Sequence, residues 1–273
     1  MTLHAASREA LDLAENRLGE VLAAAGTDPA TVGDELLSVV TLLDREIGLR
    51  RAVADGSASS EARIGFVRGI LAGKVSEPAL QVLDTVAGSR WSSPRELTDG
   101  VEALGRSALF TSAEKSGNIS TVEDQLFRVS RIVAGQPELE RALSEPAAPA
   151  EAKRALVRTL FADKVDVVTE TLVEQVVLRA KGRGVANALE LLIKLAAERR
   201  ERSVARVTSA SALSGEQQAK LGEELNALYG RQLALHVEID PRLGGGLVVR
   251  VGDEVIDGST AGRIDALRRR LAS

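Results

Sequence analysis

Residues 32–86 return ninety positions later, without a gap, as residues 122–176: 16 of the 55 aligned positions are identical. Many other pairs are conservative, such as Leu42 with Ile132 and Arg63 with Lys153. One register held across three helical patterns implies a duplicated domain, and it commits most of the first two hundred residues to a repeated architecture. Outward the match loosens. Arg8-Glu9-Ala10-Leu11 resembles Arg106-Ser107-Ala108-Leu109, with a longer loop after the first copy, and beyond residue 86 the register slips by two or three.

Each copy reads as helical. Leu36, Val39, Leu43 and Ile47 recur at three- and four-residue spacing, as do Leu126, Val129 and Val133, the signature of one buried helix face. Pro29 after Asp28 and Pro137 after Gln136 suit the first turn of a helix, where proline's missing N–H has no partner to lose. Gly135, Gly182 and Gly184 punctuate the second copy. Ser93-Pro94-Arg95-Glu96 is a capping box, and the pattern after it runs unbroken to about Ser116. One long helix is therefore expected to serve both copies. Aromatics are only 2 % of the chain, so the core must be aliphatic, and Trp91 is expected to plug the first bundle.

The period changes after Arg202. Residues 203–208 read as a strand. Ser214-Gly215-Glu216-Gln217 is a second capping box, opening a helix with Leu221, Leu225 and Leu228 on one face and Gly230 as its stop. Leu233, Leu235, Val237 and Ile239 alternate with polar or small residues, so strand, helix and strand imply a parallel crossover. A hairpin follows, with Leu247, Val249 and Val251 on one face and Gly252-Asp253 as its turn. Asp257 or Ser259 caps a last helix carrying Ile264, Leu267 and Leu271. The expected fold is mainly α: two tandem helical bundles, 1–104 and 105–202, then a small α/β domain, 203–273.

Chemistry finds little purchase. Absence of cysteine excludes disulfides, thiolate metal sites and cysteine nucleophiles. No run of about 18 apolar residues could span a bilayer, and nothing resembles a signal peptide, which suits a cytoplasmic chain. Gly244, Gly245 and Gly246 lead into a strand, whereas phosphate-binding glycines follow a strand and open a helix, so these are read as a tight backbone approach. Asp253, Glu254 and Asp257 lack a calcium-loop spacing and are read as turn and cap residues. His4, at an end expected to fray, and His236, on the polar face of a strand, have no nucleophile or carboxylate partner at a suggestive spacing. No catalytic residue, cofactor or metal is expected.

Charge divides unevenly. Residues 1–104 hold ten basic and sixteen acidic side chains, while 105–202 hold sixteen and fourteen. Copies of opposite sign either face different partners or have drifted at the surface. The net charge of −4 gives no support to broad nucleic-acid binding. Arg199, Arg200 and Arg202, and again Arg268, Arg269 and Arg270, close helices, where cations complement the dipole or meet an acidic partner helix.

The stretch LALHVEIDPRLGGGLVVRVGDEVIDGSTAGRIDALRRRL resembles the C-terminal signature of the ATP synthase δ subunit family, the bacterial relatives of the oligomycin-sensitivity-conferring protein. Gly245 and Gly246 take the family's glycine pair, Gly252-Asp253 its turn, and Asp257-Gly258-Ser259 its cap. Upstream, SALFTSAEKSG (107–117), KRALVRTLF (153–161) and KGRGVANALELLIKLAAERR resemble its helical domain. Gly244 stands where the family has a branched aliphatic residue, and Arg106-Ser107 where it has Tyr-Ala. The likeness covers about 105–273, and the duplication accounts for the rest, as in the enlarged δ subunits of high-GC Gram-positive bacteria. This resemblance implies a non-catalytic stator. Its partners would be the N-terminal helices of α subunits, the β subunits of the catalytic head, and the b-type stalk, on the cytoplasmic face of the plasma membrane. Candidate partner contacts are Leu109, Phe110, Arg183, Arg250, Arg268 and Arg269. A free helical adaptor, or a nucleotide-binding enzyme using the last domain, is the alternative.

Overall fold

The structure is a computed structural model and describes residues 3–180, 184–202, 204–229, 233–252 and 254–260. Among them eleven α-helices come first: α1 (Ala5–Ala23), α2 (Pro29–Arg45), α3 (Ile47–Val53), α4 (Ser60–Leu71), α5 (Glu77–Gly88), α6 (Pro94–Lys115), α7 (Ile119–Ala134), α8 (Pro137–Ser144), α9 (Ala150–Phe161), α10 (Val167–Arg179) and α11 (Val185–Arg202). Then follow β1 (Val204–Ser209), α12 (Gly215–Tyr229), β2 (Ala234–Ile239), β3 (Leu247–Val251) and β4 (Glu254–Asp257). The chain divides into two compact units, one of residues up to Ala113 with Val129–Ala188, the other of Glu114–Arg128 with the described residues from Leu189 onward.

The ninety-residue period reappears in the helices themselves. Helices α2 to α5 begin at 29, 47, 60 and 77, and α7 to α10 at 119, 137, 150 and 167. The next two helices begin 91 residues apart, α6 at 94 and α11 at 185. Local chemistry sets these starts. Asp28 accepts from the backbone N–H of Ala30 and Thr31 ahead of Pro29, Ser93 accepts from Glu96, and Ser76 and Asp166, ninety apart, cap α5 and α10. As expected, α6 is one unbroken helix of 22 residues.

Helix ends repeat as well. Gly73 and Asp163 occupy the same place after α4 and α9, both with left-handed φ, 73° and 61°. Each is followed by a lysine whose N–H returns to the last residue of the helix, Lys74 to Leu71 O and Lys164 to Phe161 O. Asp163 is the only non-glycine with positive φ among the described residues. Asp163→Gly is therefore expected to raise stability by about 0.5–1 kcal/mol in chemical denaturation, and Asp163→Val to lower it; equal midpoints for all three would refute the strain.

In the first unit the core is aliphatic. It draws on Ala14 and Leu18 of α1, Leu36 and Val40 of α2, Leu80 and Leu83 of α5, and Leu97 and Leu104 of α6. Trp91 closes it, 8 % exposed, its indole N–H donating to Val86 O at 2.9 Å. A Cβ on Gly33 would stand 3.0 Å from Gly105 O, so α2 and α6 meet backbone to backbone. The amino end of α1 is pinned rather than frayed: His4 Nδ1 lies 2.5 Å from Glu96 Oε1 on α6.

In the second unit the strand order is β2-β1-β3-β4. β1 and β2 run parallel, as the crossover through α12 requires, while β3 lies antiparallel to both β1 and β4. Ser214 and Gln217 complete the capping box of α12 in both directions, at 2.9 and 3.2 Å. Leu225 packs on Ala205, Val207, Val249 and Val251. Two apolar expectations do not hold: Ile239 is 56 % exposed and Leu228 67 %. Among the described residues no strand pairs on the outer side of β2, which Ile239 ends, and none covers Leu228. Gly230, Ile264, Leu267 and Leu271 lie outside the described residues.

Candidate docking surfaces

The glycine segment is backbone architecture. Asp240 accepts from Arg242 N and opens a single 3-10 turn, Pro241–Leu243, which Gly244 ends at φ 68°. A branched side chain would be strained in that conformation, which glycine adopts freely. Gly245 and Gly246 then run against 258–260. Thr260 N donates to Gly245 O at 2.9 Å, and Gly258 N to Leu247 O at 3.0 Å. Gly246 has φ 75°, and a Cβ there would sit 2.4 Å from Gly258 O. Gly246→Ala is expected to lower stability by at least about 2 kcal/mol, from the left-handed backbone plus the clash. Faster hydrogen exchange at Gly258 and Thr260 would localise the damage; unchanged exchange there would contradict it.

The helix expected after Asp257 lies beyond Thr260, outside the described residues, and Asp257 itself forms a turn with Ser259. Its Oδ1 accepts from Ser259 N at 2.9 Å and Ser259 Oγ at 2.6 Å, and these bonds, the hydroxyl's first, hold its carboxyl below the usual aspartate range. Ser259 is buried, and Gly252 has the left-handed φ, 58°, of a hairpin turn. Asp253 lies outside the described residues. Among the described residues no group of three or more His, Asp or Glu is placed to hold a metal, and no helix is long and apolar enough to cross a membrane.

Of the six candidate contacts, Arg183, Arg268 and Arg269 lie outside the described residues. Leu109 and Phe110 are 2 % and 1 % exposed. Helix α6 shows little free face because it carries buried residues along its whole length, so these two pack the core and do not offer a contact. Arg250, in contrast, is exposed on β3. Of the arginines closing α11, Arg199 pairs with Glu114 at 3.0 Å and the half-exposed Arg200 with Glu123 at 3.2 Å, while the side chain of Arg202 lies outside the described residues.

Two arrangements escaped the sequence reading. The first is a cluster around Arg179 of α10. Its Nε lies 3.2 Å from Asp44 Oδ2, its Nη2 2.8 Å from Asp99 Oδ1, and its Nη1 bonds Glu102 Oε2. The guanidinium thus brings α10, from the second repeat, against α2 and α6 and neutralises part of the first repeat's acidic excess. The second lies on the sheet. Arg206 of β1 stands directly opposite Arg250 of β3, with His236 beyond Arg206 and Val255 beyond Arg250 in the same row. All four side chains are exposed, on the face opposite Ala205, Val207, Val249 and Val251.

A profile of the ATP synthase delta (OSCP) subunit family matches residues 107–271. Beyond that span, the whole chain is similar to proteins named ATP synthase subunit delta. The one from Streptomyces griseus is 43 % identical over 99 % of this chain and 100 % of its own length. Those from Rhodococcus opacus and Corynebacterium diphtheriae are each 45 % identical, over 99 % of this chain and 99 % and 100 % of theirs. The first hundred residues are therefore shared with full-length actinobacterial relatives, and the chain belongs to the ATP synthase delta (OSCP) subunit family.

Proposed function

We propose that the chain is the stator subunit that ties the α/β catalytic head to the b-type stalk at the cytoplasmic face of the plasma membrane. It resists rotor torque so that proton flow is coupled to ATP synthesis. Full-length likeness to actinobacterial delta subunits carries this reading. The family's members are peripheral parts of a membrane-bound complex and are not themselves catalytic.

The labour divides in three. Residues 105–202, where the family profile begins, grip N-terminal helices of α subunits, by helix-in-groove docking onto an aliphatic bundle. Residues 203–273 meet the stalk. Residues 1–104 are a duplicate of the helical domain that braces its neighbour, as the shared α6 and the Arg179 cluster suit it to do.

Membranes stripped of this chain should hydrolyse ATP without pumping protons, and adding back the full chain should restore pumping without raising hydrolysis. Full coupling in its absence would overturn the reading.

A further inference from the structure

The geometry points to the face of the C-terminal sheet that no described residue covers, centred on the Arg206–Arg250 pair, as the surface that docks a carboxylate-bearing helix of the stalk. This rests on the stator reading and names the surface within it.

Like charges directly opposite on adjacent strands repel and destabilise a sheet. Arg206 and Arg250 are such a pair, and the imidazole of His236 extends the row onto β2. Neither arginine has an ion-pair or hydrogen-bond partner among the described residues. An isolated domain gains nothing from this arrangement, whereas carboxylates laid across the row would bridge both guanidinium groups. Among the described residues the row stays exposed, while α12 packs on the other face of the sheet.

The rest of the face selects the kind of anion. One row along, Glu238 and Asp257 lie on the same face as Thr208 and Val248. A polyanion, whether nucleic acid or an anionic membrane, would meet these carboxylates as well as the arginines. Residues 203–273 hold nine basic and nine acidic side chains, so no net positive field surrounds the row. Exposed Val255 and half-buried Val248 and Val204 supply apolar contact beside it. Four strands spaced about 4.8 Å apart span about 14 Å, room enough to seat one helix about 10–12 Å across. The occupant that fits is an amphipathic helix with acids over Arg206 and Arg250 and aliphatic side chains over the valines.

The test uses the full chain, the soluble part of the b-type stalk subunit and the α/β head. Arg206→Glu should weaken stalk binding about tenfold or more while head binding changes by less than about twofold. Its melting temperature should not fall, because an acid opposite Arg250 replaces repulsion by attraction. Arg206→Lys should keep most of the affinity, and raised salt should weaken the native pair more than the variant. Stalk binding that survives Arg206→Glu, or head binding lost in its place, overturns the assignment. So does capture of the native chain by phosphatidylglycerol vesicles that Arg206→Glu abolishes while stalk binding is unchanged. A native chain that binds no stalk at all brings down the stator reading, a result distinct from these.

Discussion

Arg63→Met is expected to lower the stability of the first unit by about 3–5 kcal/mol, among the larger effects of any single substitution here. Arg63 is 5 % exposed, and its guanidinium satisfies five carbonyl oxygens. Nε donates to Ala87 O at 2.7 Å, and Nη2 to Gly88 O and Ser89 O at 2.9 and 3.1 Å. Nη1 donates to Ala58 O at 2.6 Å and Asp55 O at 3.3 Å. The first three belong to the end of α5, where carbonyls have no partner within the helix. Methionine fills the space of the aliphatic stem but leaves these groups without their donor. Urea denaturation and hydrogen exchange along α5 measure the effect, and a loss under about 1 kcal/mol would show that water replaces the guanidinium freely.

The second repeat supplies a reciprocal experiment. Lys153, ninety residues on, is buried at 6 % exposure and points Nζ at Val177 O, the counterpart of Ala87 O, across 3.4 Å. Burial pushes its ammonium below the ordinary lysine value. Lys153→Arg should therefore stabilise, and Arg63→Lys should cost less than Arg63→Met. If the two exchanges shift stability in the same direction, the two sites are not equivalent.

How much of this could be read beforehand depends on the range of the interaction. Helix starts were legible because a cap or a first-turn proline acts within four residues, as at Asp28-Pro29, Ser93-Pro94 and Ser214–Gln217. The period of ninety was legible because the helices repeat with it. The glycine segment was legible as a tight approach, since no helix could follow it. Arg179 was opaque: its partners lie between 77 and 135 residues away, and nothing local marks it. The Arg206–Arg250 opposition depends on the register of β1 with β3, which no short pattern encodes. Leu109 and Phe110 misled because their motif pointed to a contact, while a helix serving two repeats has little surface to offer.

Arg179→Met is expected to cost about 2–4 kcal/mol and to loosen the two repeats from one another. Removing the guanidinium leaves Asp44, Asp99 and Glu102, whose side chains are 13–19 % exposed, without the cation that gathers them. The loss stays at the lower end of buried ion-pair deletions because each acid keeps a second arginine. Arg50 lies 3.5 Å from Asp44, Arg95 3.9 Å from Asp99 and Arg106 2.8 Å from Glu102. Those arginines come from the same stretch as the acids, between α2 and α6, so they hold the acids but do not tie them to α10. The tie itself is therefore the part that Arg179→Met deletes. Combining it with Asp99→Asn and Glu102→Gln should recover much of the loss, because the acids no longer repel; strictly additive costs would mean that Arg179 acts through its own packing. Little salt dependence is expected for a cluster this enclosed. In reconstituted membranes the same substitution should lower protons pumped per ATP hydrolysed without slowing hydrolysis, since a stator whose brace is free to move stores torque as strain and returns it as slippage. Native pumping with a confirmed loss of repeat-to-repeat stability would separate the brace from the coupling and leave residues 1–104 with another task.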